Sequence, residues 1–173
     1  MEKDFPGKET EFKAWVKKKA EKKFKINSVM DVAAGTLILW LGWLYFNGGS
    51  TSTMYASRDN STCKIIMNTL VSAGAASITH AYLKPLCLGT YSKYAKHDFF
   101  AACDGLICGL VAITASCNNV EVWAAFVIGI VSSPVFIAGM LTVKALKIDD
   151  PINAAALHTS TGMWGLIAVG VFD

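Results

Sequence analysis

The sequence predicts an all-α, polytopic membrane protein: five transmembrane helices preceded by an amphipathic N-terminal helix. Three observations carry that prediction. The 173 residues are 53% hydrophobic and only 17% charged. The apolar residues collect into five segments near the length needed to cross a bilayer, with short polar loops between them. The basic residues are unevenly placed, nine of the sixteen Lys and Arg falling within residues 1–27.

Residues 1–27 form a charged arm, and residues 28–173 the membrane domain. In the arm, Phe12, Val16, Ala20 and Phe24 recur every fourth residue with Trp15 beside them, so a helix gathers them on one stripe. Lysines cover the remainder. Two uses fit such a helix: an interfacial segment with its aromatic stripe at the lipid headgroups, or a docking arm packed on another subunit. Docking is the expectation, with Phe12, Trp15, Val16 and Phe24 as the contacts. The arm is not a secretory signal, having acids and no early apolar core. Glu2, Asp4, Glu9 and Glu11, with no arginine, also argue against a transit peptide.

The first span covers residues 28–46 and ends at Asn47-Gly48-Gly49-Ser50. The loop after it holds Arg58, Asp59 and one glycosylation-type match, Asn60-Ser61-Thr62. The second span, residues 62–83, is rich in small residues (Ser72 to Ser77) that let helices approach closely. Residues 84–98 read as a basic loop containing Lys84, Pro85 and His97. The third span, 99–115, is short and carries Asp104, a costly acid inside a membrane. The fourth runs over 120–146, with Pro134 expected to kink it.

Asp149-Asp150-Pro151 then stops the chain, because proline lacks an N–H and restricts its predecessor. Asp150 is the expected cap of the fifth helix, 152–172, and Pro151 suits its first turn. His158 lies about two turns inside that apolar segment. An ionisable group there faces protein or a water-filled path by default, and a histidine hydrogen-bonded between packed helices is the plainer of those two readings.

Five spans put the termini on opposite sides. The arm, the loop at 84–98 and the end of span four share one side with nine, three and two lysines, whereas the other side has Arg58 and Lys64. The positive-inside rule sets the N-terminus in the cytoplasm, or in the matrix of a mitochondrion. The five cysteines (63, 87, 103, 108 and 117) form no metal-ligand spacing and read as reduced. With no nucleophile–base set, metal cluster or nucleotide loop, the sequence predicts no enzyme, cofactor or metal. The basic run belongs at a membrane surface or a subunit contact, with no nucleic-acid motif beside it.

IDDPINAAALHTSTGMWGLIAVGVF (148–172) resembles the tenth transmembrane helix of the ammonium transporter/methylammonium permease/Rhesus family. GTLILWLGWLYFNGGS (35–50) is similar to the family's sixth helix, NTLVSAGAA (68–76) to the seventh and AACDGLICGLVAITASC (101–117) to the eighth. VWAAFVIGIVSS, running on into ALKIDDP, resembles the ninth. The resemblance implies half of a two-repeat fold of inverted topology with the pore between the repeats. It covers the second repeat only. The family recruits an ammonium ion between aromatic rings and a serine hydroxyl, deprotonates it, and passes ammonia along an apolar pore past two histidines. By position, Trp43 matches an aromatic near the pore, Phe46 a gate phenylalanine, Ser50 the recruiting serine and His158 the second pore histidine.

Four departures stand beside these matches. Asn153 replaces a structural aspartate, Thr159 the glycine after the histidine, Ala115 a helix-breaking proline, and Asp104 an uncharged residue. With the first repeat unmatched, the expectation is a non-conducting accessory subunit of a larger membrane complex. Its partners would be lipid and other membrane subunits, and the mitochondrial inner membrane and a respiratory assembly are one candidate home. The alternative is one half of a split ammonium/ammonia channel.

Overall fold

The computed structural model describes residues 10–12, 14–16, 28–50, 61–88 and 99–172. The chain divides into two compact units, Met1–Met30 and Asp31–Asp173. In the first, residues 10–12 and 14–16 are helical. The rings of Phe12 and Trp15 stack there at 6.3 Å, and Val16 is exposed. Phe24, the last member of the expected stripe, lies outside the described residues.

Five helices follow: α1 (Val29–Gly49), α2 (Ser61–Leu88), α3 (Phe99–Ile113), α4 (Val122–Ala145) and α5 (Ala154–Phe172). They correspond one to one with the expected spans. α1, α4 and α5 are long and apolar enough to cross a membrane by themselves, while α3 has 15 residues and α2 is longer but more polar.

Small residues set the packing of α2, α3 and α4. A Cβ added at Gly109 would lie 2.5 Å from the carbonyl oxygen of Ser72, so only glycine lets α3 come this close to α2. Three serine hydroxyls join the helices by donating to carbonyls of a neighbour: Ser72 to Gly109 (2.9 Å), Ser77 to Ala102 (2.9 Å) and Ser133 to Ala76 (3.1 Å). Membrane helices associate through such close backbones and hydrogen bonds, since lipid supplies little hydrophobic drive. His80 is fully buried among them and stacks on Phe136 at 5.1 Å.

α5 closes against this group through Trp164, whose indole N–H donates to the Ile128 carbonyl at 3.1 Å. One apolar cluster includes Ile65, Ile113, Val120, Ile128 and Ala168, and a second joins Cys108, Phe136, Ala156 and Leu157. Asn68, fully buried, donates from Nδ2 to the carbonyls of Cys117 (3.0 Å) and Val120 (2.8 Å), tying α2 to the α3–α4 turn. By contrast α1 buries little beyond Thr36, Asn47 and Gly48.

Several boundaries differ from expectation. α2 continues through Pro85 to Leu88, where a loop was expected from residue 84. Pro85 is buried, and membrane helices tolerate proline where neighbours satisfy the freed carbonyl. Lys84 holds that last stretch to α3, its Nζ lying 2.6 Å from Asp104 Oδ2. Pro134 falls inside α4, as expected. α3 stops at Ile113 rather than 115, the Thr114 N–H turning to the Val111 carbonyl (3.3 Å).

α5 begins at Ala154, so Pro151 stands ahead of the helix and outside its first turn. Asp150 caps it at longer range, its carboxylate accepting from the N–H groups of Ala154 (2.9 Å) and Ala156 (3.1 Å). The chain turns at Asn153, whose φ of 54° is left-handed backbone that asparagine tolerates. Asp149 is exposed beside it. His158 is therefore four residues into α5, about one turn rather than two.

Candidate functional site: the open face of α1 and α5

Three helices that are distant in sequence converge on one aromatic cluster. α1 carries Trp43 and Phe46 one turn apart, and their rings meet edge to face at 6.2 Å. α5 brings His158, whose imidazole lies nearly parallel to the Trp43 indole, at 6.4 Å between centroids and 16° between planes. α3 contributes Thr114 at its C-terminal end, and the Trp43 Nε1–H donates to Thr114 Oγ1 at 2.8 Å. The Thr114 hydroxyl donates in turn to the Leu110 carbonyl at 2.7 Å.

The cluster is open. Phe46 is 59% exposed and His158 is also exposed, with no hydrogen-bond partner among the described residues. Within the described residues, α5 turns this side chain outward. Ser50 is the residue immediately beyond α1, and its hydroxyl donates to the Phe46 carbonyl one turn back. The same end of α1 is fixed to α2 by Asn47, whose Nδ2 donates to Thr69 Oγ1 at 3.1 Å.

The departures lie off this cluster. Asp104 is ion-paired with Lys84 near the start of α3. Thr159 lines an apolar groove of about 560 Å³ between α4 and α5, together with Ala138, Gly139, Met163 and Ile167. Asn153 forms the turn before α5, and Ala115 is exposed in the turn after α3. Sequence reasoning missed Thr114 and Asn47, which anchor α1. A polar residue at a helix end was the available signal, but nothing local to Thr114 marks a partner 71 residues away.

An all-helical bundle of membrane-spanning segments, with small-residue contacts and a polar aromatic face on two spans, defines a polytopic membrane protein. The chain belongs to the Ammonium Transporter Family, whose model matches residues 8–173. It is thus an integral membrane protein and not an enzyme. It is 39% identical over 155 residues to ammonium transporter 1 member 2 of Arabidopsis thaliana, covering 84% of this chain and 29% of that one. It is 36% identical over 138 residues to the ammonium transporter Amt2 of Archaeoglobus fulgidus, covering 80% of this chain and 28% of that protein. Among solved structures, Mep2 of Candida albicans superposes with a TM-score of 0.73 at 30% identity, over 84% of this chain and 30% of that one. The chain thus spans under a third of the length of these relatives.

Proposed function

We propose that this chain forms one wall of an ammonium/ammonia pore, completed by helices beyond those described. The observation that carries the reading is the exposed His158, its ring nearly parallel to Trp43 at 6.4 Å between centroids, with Phe46 one turn along α1 from that indole. An ionisable side chain facing hydrocarbon is costly, so this face calls for covering protein and a polar path in place of lipid. Aromatic faces attract a cation at the mouth, and a dry, narrow path beyond opposes the ion while admitting the neutral molecule. In this reading Phe46 and Ser50 take part in recruitment and gating, and His158 lines the path within the membrane. The relatives named as ammonium transporters support that substrate.

The non-conducting accessory role expected above drew on the four departures and on the unmatched repeat. None of the four residues lies in the Trp43–Phe46–His158 cluster, and no feature supports a respiratory assembly or a mitochondrial membrane, so conduction is the reading we adopt. The partner that completes the pore supplies the first repeat, as further chain or as another subunit. The lysine asymmetry supports the N-terminus on the cytoplasmic side, and the arm, with Phe12, Trp15, Val16 and Phe24, serves as a docking element. Methylammonium uptake by membranes containing the complete assembly tests the proposal. His158→Ala should lower uptake at least about tenfold, a change of roughly 1.4 kcal/mol in the barrier. Equal uptake by the two proteins would defeat it.

A further inference from the structure

We infer that Thr114 is the positioning residue of this site: it fixes the plane of Trp43 and, through it, the orientation of the His158 imidazole. The inference rests on reading the open face as a pore wall for its functional meaning, although the geometry stands apart from that reading. Thr114 Oγ1 has a single proton, and that proton is committed to the Leu110 carbonyl at 2.7 Å. The hydroxyl therefore meets Trp43 only as an acceptor, and the indole N–H, a donor with no acceptor capacity, supplies the matching half at 2.8 Å. The chain of bonds runs from the α3 backbone through Thr114 to Trp43 and admits one direction.

Consequences follow for the ring beyond it. α1 buries few of its side chains, so packing on its own helix leaves the Trp43 indole weakly held. The anchor comes from the end of α3 instead. With that anchor, the indole lies within 16° of parallel to the imidazole in an offset stack, 6.4 Å between centroids. The two ring nitrogens lie in the imidazole plane, so a parallel stack leaves both edges free to exchange hydrogen bonds along the face. Tilting the indole would bring its edge against the imidazole and turn those nitrogens elsewhere.

Reactivity of His158 toward diethyl pyrocarbonate reads this orientation without any transport, by site-resolved mass spectrometry of the purified assembly. Thr114→Val keeps the shape and removes the acceptor. It should change the carbethoxylation rate of His158 by about 2- to 10-fold, the population shift one hydrogen bond's net worth allows. Thr114→Ser retains the hydroxyl and should stay near wild type. Trp43→Phe should match Thr114→Val, and the double variant should go no further, since both remove the same bond. An unchanged rate in Thr114→Val, a serine variant as altered as the valine one, or additive effects in the double variant would overturn the inference. The two claims separate cleanly. Loss of uptake in His158→Ala with no Thr114 effect on reactivity fails the positioning and keeps the pore; the opposite pattern fails the pore and keeps the positioning.

Discussion

Replacing Asn68 by leucine tests the account of how the bundle is held together. The side chain is fully buried and makes two hydrogen bonds through Nδ2, to the carbonyls of Cys117 at 3.0 Å and Val120 at 2.8 Å. Leucine is close in size, so the change removes donors more than volume. Hydrogen bonds between membrane helices average about 0.6 kcal/mol and reach about 1.7. Two of them therefore set a loss of roughly 1 to 3 kcal/mol. Relief of Asn68 Oδ1, which has no partner among the described residues, pulls the figure toward the lower end. Asn68→Asp should cost more, because a carboxyl group then faces two carbonyl oxygens with at most one proton to share. Equilibrium unfolding in mixed micelles, followed by circular dichroism, measures both. A leucine variant within about 0.5 kcal/mol of wild type, the range of an indifferent surface change, would refute the claim that Asn68 ties α2 to the α3–α4 turn.

Substitutions at Gly109 and Asp150, each with a control, probe the close contacts and the break before α5. Gly109→Val should destabilise the bundle by about 1 to 3 kcal/mol through overpacking, because its Cβ would fall 2.5 Å from the Ser72 carbonyl oxygen. Gly35→Ala is its control, with nothing within 4 Å of the added Cβ, and should be neutral or slightly stabilising in the same unfolding assay. Asp150→Ala removes both bonds to the first N–H groups of α5 and should cost about 0.5 to 2 kcal/mol. Asp150→Asn keeps an acceptor, and thermal denaturation should place it between the other two.

Much of the fold is legible in the sequence because a bilayer imposes length and composition on whatever crosses it. Residues 28–46 and 152–172 announce themselves as spans before any contact is known. What escaped was decided by tertiary contacts. Pro85 suggested a loop after residue 83, but Lys84 finds Asp104 on α3 and α2 persists to Leu88. Asp150 was legible as a cap, yet its reach over the Asn153 turn moved the helix start to Ala154. For the site, Trp43, Phe46 and Ser50 stood out through the family resemblance, whereas His158 was already marked as an ionisable residue inside an apolar helix. Thr114 showed only as a polar residue at a helix end, since its meaning depends on an indole brought from α1 by folding.

The most direct test of the pore is a blocking experiment at Phe46, which is 59% exposed beside the Trp43–His158 stack. The complete assembly is reconstituted with Phe46→Cys, after Cys63 and Cys87, both exposed, are changed to serine. Ammonia flux is then followed by stopped-flow vesicle pH before and after attachment of a small cationic thiol reagent. If this face lines the path, flux falls several-fold on modification and recovers when the adduct is reduced off. Flux that full modification leaves unchanged would contradict the proposal that these helices form a wall of the pore.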